Sequence, residues 1–216
     1  MYAKDSFKHQ GLRKQLIDLI REMGISDEPI LSAFYEIPRH LFLDAVFEKQ
    51  AYSNVAFQIG AGQTISHPYT VAFQTQLLML KKGMKVLEIG TGSGFQTCIL
   101  NVLGAKVYSI ERQQELFMKA KTIINSLNLT PKLFFGDGYK GRKQDAPYDR
   151  ILVTCGAPSI PNTLLEQLSI GGIMVIPVGE QDGQVMIRIT KTSENEYGTE
   201  KFGDFNFVPM LENTKK

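Results

Sequence analysis

The stretch from Lys85 to Phe95, with the sequence KVLEIGTGSGF, constrains the fold of this chain more than any other. An apolar run, Val86 to Ile89, lies between a Lys-Gly pair and three closely spaced glycines, a pattern typical of a buried strand that runs into a tight turn. Because glycine has no Cβ, the backbone N–H groups of such a turn can lie close to a ligand. A helix is predicted to follow, so the sequence indicates a ligand site at the carboxyl end of this strand, as in doubly wound α/β sheets.

The glycine spacing and the nearby acids indicate the class of ligand. Gly90, Gly92 and Gly94 follow a G-x-G-x-G pattern, in which the third glycine comes one residue too early for the dinucleotide-binding fingerprint. Glu88 would repel a pyrophosphate and suit a cation, and Glu111, after the next apolar run, can accept hydrogen bonds from ribose hydroxyls. S-adenosylmethionine carries a sulfonium and an ammonium and no phosphate. The pattern therefore favours an S-adenosylmethionine-dependent methyltransferase over a dinucleotide-binding or purely structural turn.

Composition narrows the class of protein. With 216 residues, of which 43% are hydrophobic, the chain is expected to form a single domain over 1–216. Its 24 basic and 22 acidic residues give a net charge of only +2, which argues against nucleic acid as an obligatory partner. No apolar run approaches the ~20 residues of a membrane span, and residues 1–5 lack the hydrophobic core of a signal peptide. A soluble, cytoplasmic, monomeric protein without membrane partners is expected.

The cysteines and histidines show no pattern typical of a metal site or a disulfide framework. Cys98 and Cys155 have no ligands at zinc-binding spacing, so both are expected to be reduced and to pack as small apolar residues. His9, His40 and His67 lie far apart in the sequence. No metal site is predicted.

The segment before the glycine turn is predicted to begin with two helices. Apolar positions at three- and four-residue spacing predict a helix over 8–23 and a second between Asp27 and Pro38. A turn or short helix is predicted to follow at 39–42. We expect these three elements to form an N-terminal layer that either closes over the ligand side or serves only in packing.

The next segment carries the candidate polar loop. Residues 51–71 mix turn formers with aromatic residues and are expected to be irregular, and a third helix is predicted over 69–80. Ser66 comes just before that helix, where its hydroxyl and free N–H groups favour an anion, although it could also serve as a helix cap.

After the glycine turn, predicted strands and helices alternate. The strands are predicted at 106–110, 131–135, 146–154, 173–177 and 185–190, with helices over 96–103, 116–127 and 161–168. Residues 193–203 are expected to form a polar surface loop, and 205–210 a final edge strand in which Pro209 stands where a ladder donor is missing. Asp137 follows a strand between two glycines, where it can accept from an adenine amino group or belong to a plain turn. This order predicts an α/β, Rossmann-like fold with a doubly wound, mostly parallel sheet flanked by helices.

Several stretches together resemble one family, the protein-L-isoaspartate(D-aspartate) O-methyltransferases, which are class I S-adenosylmethionine-dependent methyltransferases. The loop 62–72, with the sequence GQTISHPYTVA, is similar to the family's signature loop and is more specific than the glycine turn. The other similar stretches follow in the family's order at 86–95, 109–112, 136–138, 146–149, 167–179 and 207–210. The similarity covers residues 10–211. Its departures are Phe95 for a frequent tyrosine, the variable His67, and Met210 for a leucine, and none removes a group that the chemistry needs.

The resemblance implies an enzyme that initiates the repair of aged proteins. Members of the family transfer a methyl group from S-adenosylmethionine to the free α-carboxylate of L-isoaspartyl residues in damaged proteins and peptides, and the ester then cyclises to a succinimide. Ser66 is the implied catalytic residue, which orients the carboxylate, and Val208 and Pro209 are further substrate-binding residues. The implied cofactor-binding residues are Gln63, Thr64, Ile65, Ser66, Glu88, Gly90, Thr91, Gly92, Ser93, Gly94, Glu111, Arg112, Asp137 and Gly138. The expected division of the domain is an N-terminal helical and substrate segment 1–80, a cofactor-binding core 81–190 and C-terminal strands 185–211.

The implied reaction needs no general base. A carboxylate has a reference pKa of ~4 and is already an anion at pH 7, which agrees with the lack of a catalytic His, Lys or Cys constellation. The protein must hold the reacting atoms in line about 3 Å apart and exclude water. Selectivity is expected to come from the peptide main chain, bound like an added strand along 207–210 and the loop 58–63.

Two other functions remain open at this point. A class I methyltransferase acting on RNA or a small molecule would keep the same cofactor turn, but the even charge balance, the polar loop and the absence of an Asn/Asp-Pro-Pro-aromatic motif argue against it. A module that only senses S-adenosylmethionine is the second alternative.

Overall fold

The computed structural model describes residues 5–180 and 182–216. Residues 1–4, most of the stretch that bears on a signal peptide, lie outside the described residues. The α-helices are α1 (Phe7–Glu22), α2 (Glu28–Glu36), α3 (Pro68–Leu77), α4 (Phe95–Val102), α5 (Gln114–Ser126) and α6 (Asn162–Glu166). The strands are β1 (Phe57–Gly60), β2 (Gln63–Ile65), β3 (Lys85–Ile89), β4 (Lys106–Glu111), β5 (Lys132–Phe135), β6 (Tyr148–Val153), β7 (Leu168–Val178), β8 (Gln184–Lys191) and β9 (Tyr197–Phe205). Short 3-10 helices span Arg39–Phe42, Ala45–Gln50, Gly138–Lys140 and Lys143–Asp145.

Local capping explains where the two N-terminal helices begin. The Ser6 hydroxyl accepts from the His9 N–H while the His9 ring accepts from the Ser6 N–H, each at 3.3 Å, so that two otherwise unpaired groups at the start of α1 are satisfied. The Asp27 carboxylate accepts from Ile30 N at 3.3 Å at the start of α2. Both predicted helices are confirmed.

The main sheet has the strand order β5-β4-β3-β6-β7-β8-β9. Strands β3 to β7 run parallel to one another, whereas β8 is antiparallel to β7 and β9 is antiparallel to β8. The chain builds outward from β3 through β4 to β5 and then returns to β6 on the other side of β3, which makes the sheet doubly wound. The predicted fold class is confirmed.

Alternate residues of the central strands are buried on opposite faces of the sheet. On one face, Leu87 of β3 and Ile151 of β6 belong to the same apolar cluster as Leu164 of α6. On the other face, Val86 packs in a cluster with Leu100 of α4. Burial on both faces explains the continuous apolar runs by which these strands could be predicted.

The N-terminal helices belong to a third apolar cluster. Ile20 of α1 and Phe34 of α2 pack in it with Phe95 of α4 and Ile124 of α5. The described residues of α1 and α2 do not reach the cavity described below, whose wall begins at Gln63. Packing is therefore the role observed for α1 and α2.

Three predicted segments differ from the structure. Part of the segment 51–71 forms a β1–β2 hairpin, since Phe57 pairs with Ile65. The predicted surface loop 193–203 is wrong over most of its length, because 197–205 is the edge strand β9. Its sequence is polar because it is mostly exposed at the sheet edge, where charged residues discourage pairing with other chains.

The predicted final strand 205–210 is also wrong. Beyond the end of β9 it makes only an isolated bridge, between Pro209 and Gly156. The N–H of Phe207 donates to the Gln184 side chain at 2.7 Å, so it is not available for a ladder, and proline has no N–H to offer.

Candidate active site

A cavity that opens to solvent, with a volume of about 850 Å³ including its open mouth, lies at the carboxyl ends of β3 and β6, where the strand order reverses. The two strand ends are joined there by a hydrogen bond from Thr154 N to Ile89 O at 3.0 Å. This is the place where open α/β sheets bind ligands. The predicted site residues on its wall are Gln63, Thr64, Ile65, Ser66, Gly90, Thr91, Gly92, Ser93, Glu111, Arg112, Gly138, Val208 and Pro209.

The glycine turn is shaped by its own neighbours as well as by the space it leaves for a ligand. Gly90 has a φ of +94°, which disfavours any other residue. A Cβ at this position would lie 2.5 Å from the Thr154 hydroxyl oxygen. That hydroxyl donates to the Gly90 carbonyl at 2.7 Å. The first glycine therefore allows β6 to approach the turn closely.

Of the three predicted cofactor-binding acids, Glu88, Glu111 and Asp137, only Glu111 lies on the cavity wall. Its two carboxylate oxygens accept from Gly92 N and Gln113 N, both at 2.8 Å. Burial raises the pKa of Glu111, and the hydrogen bonds from backbone N–H groups partly oppose that rise. Each oxygen retains further acceptor capacity, so this carboxylate can also accept from a ligand hydroxyl.

Glu88 lies outside the cavity wall. Its side chain is completely buried, one carboxylate oxygen accepts from the Thr97 hydroxyl at 2.5 Å, and the other has no hydrogen-bond partner among the described residues. Burial raises the pKa of Glu88 to about 7. Low polarity around the group disfavours its negative charge, and its expected role toward a cationic ligand stays a prediction.

Two more predicted cofactor residues lie behind the wall. Gly94 has a φ of +90° at the start of α4, and a Cβ there would be 3.0 Å from the Cδ1 of Ile124, so its role in the structure is helix packing. Asp137 caps a 3-10 helix, with one oxygen accepting from Tyr139 N at 2.9 Å and the other from Asn213 N at 3.0 Å. Asp137 therefore has a role in the turn, and its contact with an adenine amino group stays a prediction.

Arg112 holds the C-terminal segment across one end of the cavity. Its side chain donates to the carbonyl oxygens of Asn213 at 2.8 Å and Glu212 at 3.2 Å. Its own carbonyl accepts from Lys215 N at 2.8 Å. Leu211, just before these anchors, lies on the cavity wall.

Ser66 lies between the main cavity and a second, smaller one. The second cavity has a volume of about 310 Å³, and Thr64, Ser66, Thr154 and Val208 lie on the walls of both. The expected capping role of Ser66 is not observed, because the residue before α3 is His67 and no side chain caps that helix. No hydrogen bond of the Ser66 hydroxyl occurs within the described ranges, whereas its carbonyl accepts from Arg39 at 2.9 Å. The hydroxyl is available to a ligand at the junction.

The segment around Val208 borders both cavities and has one paired edge. Gly156 N donates to Val208 O at 2.9 Å, and Met210 N donates to Gly156 O at 2.7 Å. Pro209, between them, has a carbonyl directed to the opposite side and no N–H. The opposite, unpaired edge therefore offers the Pro209 carbonyl as an acceptor for an N–H group of an extended peptide.

Comparison with known proteins identifies the family. The sequence profile described as "Protein-L-isoaspartate(D-aspartate) O-methyltransferase (PCMT)" matches residues 11–215. The chain belongs to this family. Proteins called protein-L-isoaspartate O-methyltransferase in Christiangramia forsetii and Flavobacterium psychrophilum are 56% and 57% identical to it over 210 residues, which cover 97% of this chain and 98% of each relative.

Solved structures of proteins with this family name have the same fold. One titled protein-L-isoaspartate O-methyltransferase is 28% identical, with a TM-score of 0.85 over 93% of this chain and 66% of that chain. A putative one from Plasmodium falciparum, solved in complex with S-adenosyl-L-homocysteine, is 24% identical, with a TM-score of 0.82 over 93% and 99% of the two chains. Its likeness concerns the fold alone.

Membership in the protein-L-isoaspartate O-methyltransferase family confirms the resemblance, and the chain is an enzyme of the methyltransferase class. It decides against the RNA or small-molecule methyltransferase and the non-enzymatic sensor. Among the described residues, none of the helices has the length and apolar character needed to cross a membrane. The cytoplasmic compartment and the monomeric state stay predictions.

The cavity wall also contains residues that the sequence reasoning missed. Gln74 of α3 lies on the wall and donates to Val153 O at 3.0 Å, and Thr154 and Cys155 follow directly after β6. The rule that ligands bind at the carboxyl ends of strands could have found the last two. Cys98 is a buried free thiol, as predicted, whereas Cys155 is a free thiol on the wall whose pKa is raised to about 12 by burial.

The fold brings two distant histidines together. His9 and His40 stack with ring centres 3.9 Å apart, and their nitrogens lie within 4.8 Å of each other and of a carboxylate oxygen of Asp5. Nothing in the sequence spacing indicated this cluster. Arg13 donates to Asp5 at 2.6 Å, and His9 bonds Glu48 at 3.1 Å. Because the Arg13 guanidinium already binds Asp5, its positive charge opposes binding of a cation to this cluster.

Proposed function

We propose that the chain transfers a methyl group from S-adenosylmethionine to the α-carboxylate of isoaspartyl residues in proteins and peptides, with the larger cavity as cofactor site and the smaller as substrate site. The observation that carries this proposal is the position of Ser66. It lies on the walls of both cavities with its hydroxyl unused within the described part of the chain. A residue at that junction can touch the acceptor group where it meets the methyl donor.

The donor groups of the larger cavity are suited to an adenosyl ligand. Glu111 offers carboxylate oxygens for two ribose hydroxyls, and Ile65, Phe95 and Ile110 supply apolar surface for a ring. The N–H of Gly92 donates to the Glu111 carboxylate at 2.8 Å and so helps to fix its orientation. When bound, S-adenosylmethionine supplies the electrophilic methyl group.

Ser66 orients the substrate carboxylate by donating a hydrogen bond from its hydroxyl. The carboxylate is an anion at neutral pH, so no residue has to remove a proton from it. The contribution of this chain is placement, which can account for ~7–11 kcal/mol of a barrier when the geometry is well fixed. The hydrogen bond from Arg39 to the Ser66 carbonyl supports the rigidity of the loop.

The substrate main chain runs along the free edge at Val208 and Pro209. The Pro209 carbonyl on this edge suits a peptide N–H group, and recognition through the main chain leaves the side chains of the substrate mostly unread. In this arrangement the segment 1–80 supplies the Ser66 loop, the core 81–190 the cofactor site, and the C-terminal part 185–211 the peptide edge.

The test uses matched peptides that differ only in an isoaspartyl or aspartyl linkage. With labelled S-adenosylmethionine, we expect base-labile methyl ester on the isoaspartyl peptide alone. Ser66→Ala is expected to lower turnover about 100-fold, because loss of the hydrogen bond misplaces the attacking oxygen, while the Kd for S-adenosylhomocysteine changes little. Ser26→Ala, at an exposed position, is the control. Label on both peptides would contradict the activity, and equal losses of turnover and cofactor affinity would contradict the role of Ser66.

A further inference from the structure

Arg39 lies directly behind the Ser66 loop. It belongs to the 3-10 helix Arg39–Phe42, and only 1% of its surface is exposed. Its Nη2 donates to the carbonyl of Ser66 at 2.9 Å and to that of Val55 at 3.2 Å. Its guanidinium carbon lies 5.1 Å from the ring centre of Phe95, a residue on the wall of the larger cavity. The side chain thus connects the hydroxyl-bearing loop with the first residue of α4.

The positive charge of Arg39 has no anionic partner in the described part of the chain. The ion pairs found there do not include it. Its Nε and Nη1 have no hydrogen-bond acceptor among the described residues. Desolvation lowers its pKa to about 9, so the group is still a cation at neutral pH. Burying an unpaired charge is costly, and a fold that keeps one next to a site can use its field there.

Arg39 lies next to the smaller cavity, because its Nη2 is 2.9 Å from the carbonyl oxygen of Ser66, which is on the wall of that cavity. His67 lies on the wall of that cavity beside Ser66. The pKa of His67 is lowered, chiefly by burial and further by the charge of Arg39. A positive potential that opposes protonation of His67 also favours an anion in the same space.

We propose that Arg39 is the positioning residue for the substrate carboxylate: it fixes the backbone of Ser66, and its charge makes the site prefer a carboxylate to a neutral group of the same shape. The inference rests on the proposed function and deepens it. Because the methyl ester that forms is neutral, the same charge holds the product less tightly than the substrate.

The experiment compares two peptides that are identical except for isoaspartate or isoasparagine, the neutral amide analogue. Their affinities are measured by calorimetry with enzyme saturated with S-adenosylhomocysteine. We expect the wild-type enzyme to prefer the isoaspartyl peptide at least tenfold, which corresponds to about 1.4 kcal/mol. Arg39→Gln, which removes the charge but can still donate to the Ser66 carbonyl, should reduce this preference about tenfold and raise KM more than it lowers kcat. Arg39→Lys, which keeps the charge, should retain most of the preference.

A residue that only supports the fold would give a different result. An unchanged preference in Arg39→Gln, or equal losses of affinity for peptide and S-adenosylhomocysteine, would overturn the proposal. If Arg39→Gln does not fold, loss of the preference in Arg39→Lys, or its absence in the wild-type enzyme, would also overturn it. Methylation of the isoaspartyl peptide by the wild-type enzyme is scored separately, so failure of this inference is distinguishable from failure of the proposed function.

Discussion

Replacing Glu88 by glutamine tests whether the acid beside the glycine turn is held neutral. Its unfolded pKa is near the model-compound value of 4.5, whereas burial raises the folded pKa to about 7. Between these pH values the folded chain binds more protons than the unfolded chain, so the contribution of Glu88 to stability falls as pH rises from about 4.5 and is constant above about 7. At about 1.4 kcal/mol per pH unit, the full loss is about 3 kcal/mol.

Glu88→Gln removes this titration, because an amide has no proton to lose. Its oxygen can still accept from the Thr97 hydroxyl, while its amide nitrogen occupies the place of the oxygen without a partner, at a cost of about 1–3 kcal/mol that does not vary with pH. The free energy of unfolding of the variant, relative to that of the wild type, should therefore increase by about 3 kcal/mol between pH 4.5 and pH 8. This change is expected whether the variant is more or less stable than the wild type at either pH.

Urea denaturation at a series of pH values measures this difference. The midpoint and the slope are fitted for both proteins, and an unchanged slope at each pH shows that the midpoints report stability. Glu22→Gln, which removes a carboxylate at an exposed position, is the control. A relative stability of Glu88→Gln that stays flat from pH 4.5 to 8 would refute the argument, because it would mean that the Glu88 carboxyl is ionised in the fold as readily as in the unfolded chain.

Two further predictions concern the turn and the C-terminal segment. Gly90→Ala should cost about 1–3 kcal/mol of stability, because alanine is strained at this φ and its Cβ would clash with the Thr154 hydroxyl. In a double-mutant cycle measured by urea denaturation, Thr154→Ala should recover part of that loss. Additive losses would contradict the contact. Arg112→Ala should weaken S-adenosylhomocysteine binding about tenfold by calorimetry, because two hydrogen bonds that hold the segment at Glu212 and Asn213 are lost. An unchanged Kd would show that the segment stays in place without Arg112.

The buried strands of the sheet could be predicted from the sequence, because burial requires apolar residues. Strands such as β3 and β6 are covered on both faces and consist of apolar runs, so their pattern and their structure have the same cause. Strand β9 has an exposed edge and needs no such run. It is fixed instead by pairing with β8, including the ion pair between Arg188 and Glu200 at 2.8 Å, which are opposite each other in the register. The local sequence of neither strand specifies this pairing.

The candidate site could be predicted where its groups follow strands directly, and less well where position depends on three-dimensional packing. The glycine turn and Glu111 come at strand ends and reach the cavity. Glu88, two residues before the turn, is still inside its strand, and alternation directs its side chain into the core beside Thr97. Arg39 lies in a short 3-10 helix far from the turn in sequence, and only the fold brings it to Ser66.

The observed positions of the predicted acids and of Arg39 change how the site is expected to select its ligands. The sequence suggested three acids around a cation, but Glu111 alone of the three lies on the wall, and its oxygens also accept from backbone N–H groups. Affinity on the cofactor side must therefore depend on shape, apolar contact and directed hydrogen bonds more than on net negative charge. At the Ser66 junction the nearest buried charge is the positive one of Arg39. Under the proposed function the acid and the cation serve different ends of the site, and we expect an anionic acceptor to be attracted to the Ser66 end and repelled by Glu111 at the other.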